Sequence, residues 1–302
     1  MLYPNGEFSL GLSTPVKNHK PPQAPSTRYR GGNPQTTYSK RMVRNCIARL
    51  ERLHGKHNLA FATYTLPELP HYELEIIREN WWNVTRQFKQ TIERDLERAG
   101  IKPEIVYVTE IQEERYEETG DVVPHIHAVF QSRKTRYHKY AICTERNTEI
   151  WNRTISNILG RRVEMPSAAS IETVKKSAER YMSKYMSKGG KLARKVSDDS
   201  VVNWMPKAWW GATVSLRNWV KENTKILSEH TKQFIRDNCK RFEENLAESP
   251  FSWLYVHRLP PTEDEGEIGR AVAVVGRVRR DWMRRFTYRN LEEMNPWQSL
   301  HT

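Results

Sequence analysis

Two short runs constrain this chain most: IVYVTEIQ (Ile105 to Gln112) and VVPHIHAVFQ (Val122 to Gln131). Both are rich in β-branched and apolar residues, and a charged connection containing Thr119-Gly120-Asp121 separates them. They predict a long-tipped antiparallel hairpin. LAFATYTL (Leu59 to Leu66), closed by Pro67, predicts another strand, and AASIETV (Ala168 to Val174) one more. Between these runs lie helical periods. Ile77, Trp81, Val84, Phe88, Ile92 and Leu96 fall at steps of three or four and predict one long helix, with Gly100 at the C-terminal position that tolerates positive φ. Helices are also expected around Arg41 to Leu53, through Ile150, Trp151, Ile155, Ile158 and Leu159, and over Lys175 to Lys188 before Gly189-Gly190. The order is that of an α+β fold.

The remainder divides by composition. Residues 1 to 36 mix Pro, Gly, Ser, Thr, Asn and Gln without periodicity and are expected to form a flexible arm. Residues 37 to 221 hold the strands and helices above. Residues 222 to 302 are expected to form a mostly helical, basic extension, with one strand-like run, RAVAVVGRVRR, and a late series of arginines. The chain of 302 residues is 37% hydrophobic, enough for a packed core over most of its length. No run approaches the ~18 apolar residues of a membrane span, and the N-terminus lacks the pattern of a secretory signal. Cys46, Cys143 and Cys239 lie far apart with no CxxC spacing, so neither a zinc ribbon nor a disulfide framework is encoded, and a reducing, cytoplasmic setting is expected.

Charge narrows the partner. The net charge is +13, and residues 132 to 221 hold 19 basic and 7 acidic side chains while the segments on either side are close to neutral. Such segregation favours a polyanion bound by that segment. Arg133, Lys134, Arg136, Lys139, Arg161, Arg162, Lys175, Lys176, Lys191, Arg194 and Lys195 are the candidate contacts with a nucleic-acid backbone. Trp204, Trp209, Trp210 and Trp219 are read first as a local hydrophobic cluster and second as stacking platforms for unpaired bases.

The candidate chemistry sits in three places. His125 and His127 are two apart on a strand, so both imidazoles share one face while Ile126, Ala128 and Phe130 share the other. Across the hairpin, Glu110 or Gln112 could stand beside them, and Glu110 is preferred because a carboxylate binds a hard divalent ion more strongly. Two imidazoles and a carboxylate would occupy half of an octahedral site for Mn²⁺ or Mg²⁺ and leave positions for phosphate oxygens. In AERYMSKYMSKGG, Tyr181, Lys184, Tyr185 and Lys188 form one helical stripe, and Ala178, Met182 and Met186 form the apolar one. A tyrosine hydroxyl, a lysine and a divalent ion together describe phosphodiester transfer to tyrosine. The chain has no GxxxxGK[ST] phosphate loop. The transfer needs none, since one phosphate ester replaces another.

PHIHAVF resembles the His-hydrophobic-His motif of HUH endonucleases, and YMSKYMSK resembles the two-tyrosine motif of rolling-circle replication initiators of small single-stranded DNA phages and related plasmids. FATYTLP is similar to the first motif of that family, and the order of motifs agrees over residues 40 to 220. The resemblance implies a central antiparallel sheet flanked by helices, with a ferredoxin- or RRM-like palm. It implies that Glu110, His125 and His127 ligate the metal, that Tyr181 and Tyr185 are the nucleophiles, and that Lys184 and Lys188 assist them. The product would be a 5′-phosphotyrosine and a free 3′-hydroxyl primer at a single-stranded or hairpin origin. A host helicase and DNA polymerase would be the protein partners, since no helicase domain follows the motifs. The segment between Glu110 and His125 is longer and more acidic than the family's short turn. A two-tyrosine transposase would share the chemistry but usually carries a cysteine-rich zinc module. A non-catalytic single-strand binding module and a hydrolytic metal nuclease are the readings from other classes.

Overall fold

The computed structural model describes residues 1–11, 37–134, 139, 141–174, 177–179, 181–183, 185, 206, 209–258, 271–279 and 282. In chain order the elements are β1 (Glu7–Gly11), α1 (Thr37–His54), β2 (Leu59–Tyr64), α2 (His71–Glu79), α3 (Trp81–Arg98), β3 (Ile105–Ile111), α4 (Glu113–Thr119), β4 (Pro124–Gln131), α5 (Thr144–Leu159), β5 (Ala169–Thr173), β6 (Trp210–Ala212), α6 (Val214–Glu222), α7 (Glu229–Glu244), β7 (Phe251–Arg258) and β8 (Ala271–Val278). Ala178, Glu179, Tyr181, Met182, Ser183 and Tyr185 are helical as well. The fold is α+β, and its contacts separate two compact units, Pro25–Trp219 and the pair of segments Met1–Ala24 and Val220–Thr302.

Pro25–Trp219 is built on a five-stranded sheet in the order β5-β2-β4-β3-β6, antiparallel at every pairing. Alternation along each strand sorts the side chains onto two faces. Ala60, Ala62 and Tyr64 of β2, Ile105 and Tyr107 of β3, and Ile126, Ala128 and Phe130 of β4 join α2, α3 and α5 in one buried cluster. The other face carries Leu59, Phe61, Val106, Val108 and Val129, all buried. It is the side on which α1 lies, whose Met42, Val43, Cys46, Ile47 and Leu50 are buried outside that cluster.

The expected long helix is two. Asn80, at φ −96° and ψ 12°, ends α2 and starts α3. The bonds from Asn80 N–H to Ile76 O and from Val84 N–H to Asn80 O span the junction, so the apolar stripe runs on unbroken. Ile77, Trp81, Val84, Phe88, Ile92 and Leu96 are almost wholly buried, each worth about 1.5–3 kcal/mol of transfer free energy. At the far end Gly100 takes φ +66°, with Ile101 N–H on Leu96 O and Gly100 N–H on Glu97 O. This double closure satisfies carbonyls the helix leaves open, and it needs a residue at positive φ. Gly211 is required for a different reason. It lies opposite Tyr107 in the β3–β6 pairing, and a Cβ there would run into the Tyr107 ring.

The charged connection at the tip of the hairpin folds as α4, closed by Gly120 at φ +75°. Arg115 donates to the carbonyls of Leu66 and Pro67, which ties this connection to the end of β2.

The second unit corrects two expectations. Residues 1–11 are not a flexible arm: β1 pairs with β8, and Leu2, Phe8 and Leu10 are buried. A short apolar segment with no period of its own orders because a distant strand supplies its hydrogen bonds. The part of the expected arm between residues 12 and 36 lies outside the described residues. The C-terminal extension, expected to be mostly helical, holds two strands, β7 and β8, beside α7 among its described residues. With β1 these strands form a three-stranded antiparallel sheet in the order β1-β8-β7, closed by Phe8, Ile235, Phe242, Phe251, Val256, Val274 and Val278. Among the described residues no helix is long and apolar enough to cross a membrane.

Candidate active site

The β3–β4 register places Glu110 opposite His125 and Val108 opposite His127, and β2 brings Thr63 opposite His127 from the other side. Cross-strand partners share a face, so Glu110, His125, His127 and Thr63 all point to the α1 side. Glu110 Oε2 lies 2.8 Å from His125 Nε2 and 2.7 Å from His127 Nε2. Gln112 is the residue beyond the strand, where its N–H closes the hairpin on Val123 O. Of the two expected candidates the register therefore brings Glu110 to the imidazoles.

The carboxylate and the two imidazoles offer three ligand atoms within 4.8 Å of one another, and this group could hold a metal ion. Two features of the site fit such a role. The donor set mixes imidazole nitrogen with a buried carboxylate oxygen, a combination suited to first-row divalent ions. Thr63 Oγ1 lies 3.1 Å from His127 Nδ1, so that nitrogen can hold its proton on the threonine and leave Nε2 as the ligand. Burial raises the Glu110 carboxyl, but hydrogen bonds and charge from His125 and His127 outweigh it and hold the group at about 2.

Both tyrosines stand beside this group. The Tyr185 ring lies 3.6 Å from the His127 ring, centre to centre, and 5.2 Å from Tyr181. Phe61, two residues before Thr63 on the same face of β2, underlies them all. Its ring is 5.4 Å from His127, 4.4 Å from Tyr181 and 5.8 Å from Tyr185. Tyr181 is 44% exposed. Burial, a hydrogen bond with Tyr181, and the charges of Tyr181, Glu110 and Glu172 push the Tyr185 hydroxyl above its ordinary 10.0. Ala178 and Met182 of the expected apolar stripe are buried.

The basic residues divide. Lys184, Lys188, Arg136, Lys175, Lys176, Lys191, Arg194 and Lys195 lie outside the described residues, as do Met186 and Trp204. Arg133 and Lys134 are described, and the structure does not bring them to the histidines. They follow the far end of β4, with Arg133 beyond His127 by on the order of 20 Å of extended chain. Arg133 donates to His57 O and Thr173 Oγ1, and Lys134 reaches over Gly100. Arg161 is paired in a fork with the buried Glu73. These arginines hold loops together, which a count of charge by segment could not reveal. Trp209 is buried, as expected of a cluster residue, and Arg49 stacks on Trp219 at 4.3 Å.

Phe61 and Thr63 stand in the sequence only within the strand run LAFATYTL and the motif FATYTLP, and neither pattern assigns their side chains a role. Their signal was the period of two in LAFATYTL, which becomes informative only once β2 is known to pair with β4. Compared with known proteins, the chain matches no family model, no curated protein and no solved structure.

Proposed function

We propose that residues 37–221 form an endonuclease of the HUH type and that the protein is a rolling-circle replication initiator, nicking a single-stranded or hairpin origin by transfer to tyrosine. The observation that carries this reading is the meeting of Glu110, His125 and His127 with Tyr181 and Tyr185 on one sheet face, with Tyr185 ring to ring on His127.

Glu110, His125 and His127 would hold the metal. A bound Mn²⁺ or Mg²⁺ supplies Lewis-acid polarisation of a phosphate oxygen. The hydroxyl of Tyr181 or Tyr185 attacks phosphorus, a new tyrosyl O–P bond forms, and the P–O3′ bond breaks. The phenolic proton is lost, and the departing 3′ oxygen gains one. One phosphodiester replaces another, so the step needs no ATP and a DNA 3′-hydroxyl can reverse it. Burial, then Tyr181 and the Glu110 charge, raise the Tyr185 hydroxyl, so positive charge placed beside it favours its ionisation. Lys184 and Lys188, each three residues after a tyrosine, are proposed for that role. A host helicase would open the duplex, and a polymerase would extend the 3′ end.

The test uses end-labelled single strands tiled across the element encoding the chain, incubated with Mn²⁺. The expected result is a labelled protein band that survives denaturation and disappears in the Tyr181→Phe/Tyr185→Phe double variant. Cleavage without an adduct would establish a hydrolytic nuclease instead. Salt-sensitive binding with no cleavage on any strand would leave a binding module.

A further inference from the structure

We infer that Glu51 is a positioning residue that sets the tyrosine-bearing helix at the height from which its hydroxyls reach the phosphate; the inference rests on the reaction proposed above. Glu51 belongs to α1, yet its Oε1 accepts the backbone N–H of Ala178 at 2.9 Å across 127 residues of sequence. The N–H of Glu179 bonds to the same carboxylate. The first amides of a helix have no acceptor of their own, and a carboxylate there is also favoured by the helix dipole. Here the cap comes from another helix, one that packs on the same sheet face as the histidines.

The consequence is mechanical. Ala178 and Met182 seat the helix sideways, at 1% and 0% exposure, but apolar contact resists sliding along the axis poorly. Hydrogen bonds to two successive amides resist it well. From Ala178 to Tyr185 the helix rises on the order of 10 Å, and a slip of one residue would move Tyr185 by ~1.5 Å and turn it by ~100°. Glu51 therefore fixes one end of a rod whose other end lies on His127. Burial raises the Glu51 carboxyl while the Ala178 amide lowers it, as expected of a carboxylate drawn from water to serve backbone amides.

The experiment measures the single-turnover rate of adduct formation by the full chain at saturating Mn²⁺ and DNA. It compares Glu51→Gln, Glu51→Asp and Glu51→Ala, with Mn²⁺ and DNA affinity and thermal unfolding measured for each. Gln keeps the reach and an acceptor oxygen, whereas Asp keeps the charge but draws it back by one methylene. The expected order of rates is wild type, Gln, Asp, Ala. Gln stays within about three-fold of wild type and Ala falls by ten- to a hundred-fold, since a misplacement of ~1 Å can cost about 10² in rate. Mn²⁺ and DNA affinities stay unchanged. A purely structural cap would lower the unfolding temperature and leave the rate of the folded enzyme intact, which overturns the inference. Full activity in Asp with loss in Gln also overturns it, because charge rather than reach would then matter. If Ala does not fold, the order of Gln and Asp decides. Absence of an adduct from the unsubstituted protein refutes the proposed reaction itself, and this inference with it.

Discussion

Replacing Phe61 with leucine tests whether the site is held together by its aromatic contacts. Leucine keeps most of the buried apolar surface of β2, so the loss of transfer free energy is small. What disappears is a set of three ring contacts, to His127 at 5.4 Å, to Tyr181 at 4.4 Å and to Tyr185 at 5.8 Å. Such pairs are worth about 0.5–1.5 kcal/mol each beyond their area, and the exposure of Tyr181 argues for the lower end, or about 1.5 kcal/mol in all. For a unit the size of Pro25–Trp219 this corresponds to a fall in Tm of about 3–6 °C. Differential scanning calorimetry of the full chain reads it directly. The same variant should lose at least ten-fold in single-turnover adduct formation, because both tyrosines rest on this ring. A fall in Tm below about 1 °C together with an unchanged rate would refute the account of Phe61 as the support of the site.

Thr63→Val removes the partner of His127 Nδ1 while keeping the shape of the side chain, and Mn²⁺ affinity by calorimetric titration should fall about 10–100-fold. Gly211→Ala brings a methyl group against the Tyr107 ring and should cost about 1–3 kcal/mol in urea unfolding; a neutral result would mean that β6 shifts freely. Stability of the metal-free protein should fall as pH is lowered. Glu110 has a depressed folded-state pKa, so its contribution is fully present above its ordinary 4.5 and is lost as pH falls towards about 2. Urea titrations of Glu110→Gln should lack that part of the slope, and an unchanged slope would mean that the carboxylate is not paired with the imidazoles.

Local chemistry wrote much of this protein plainly. Alternation in PHIHAVF put His125 and His127 on one face and Ile126, Ala128 and Phe130 on the other, and the structure buries the latter set. The spacing of Ile77 to Leu96 marked a buried helical stripe, although not the break at Asn80, whose backbone turns without interrupting the apolar pattern. Gly100 announced a helix end through its tolerance of positive φ. The helical period of the tyrosine segment likewise separated the stripe of Ala178 and Met182 from that of Tyr181 and Tyr185.

Other features depended on which segments meet. Charge counted by segment placed Arg133 and Lys134 near the chemistry, but β4 runs away from the histidines toward them, and direction within a sheet is not written in composition. Residues 1–11 read as an arm because their hydrogen-bonding partner, β8, lies some 260 residues away. The same holds for Glu51 and the helix it caps. Periodicity and turn chemistry are local, acting over a few residues, so one chain read in order reveals each element and the face it buries. Pairing register and caps between elements are set by contacts that are distant in sequence. Only the folded protein could bring Glu110 opposite His125, Thr63 onto His127, and Tyr185 to the same face.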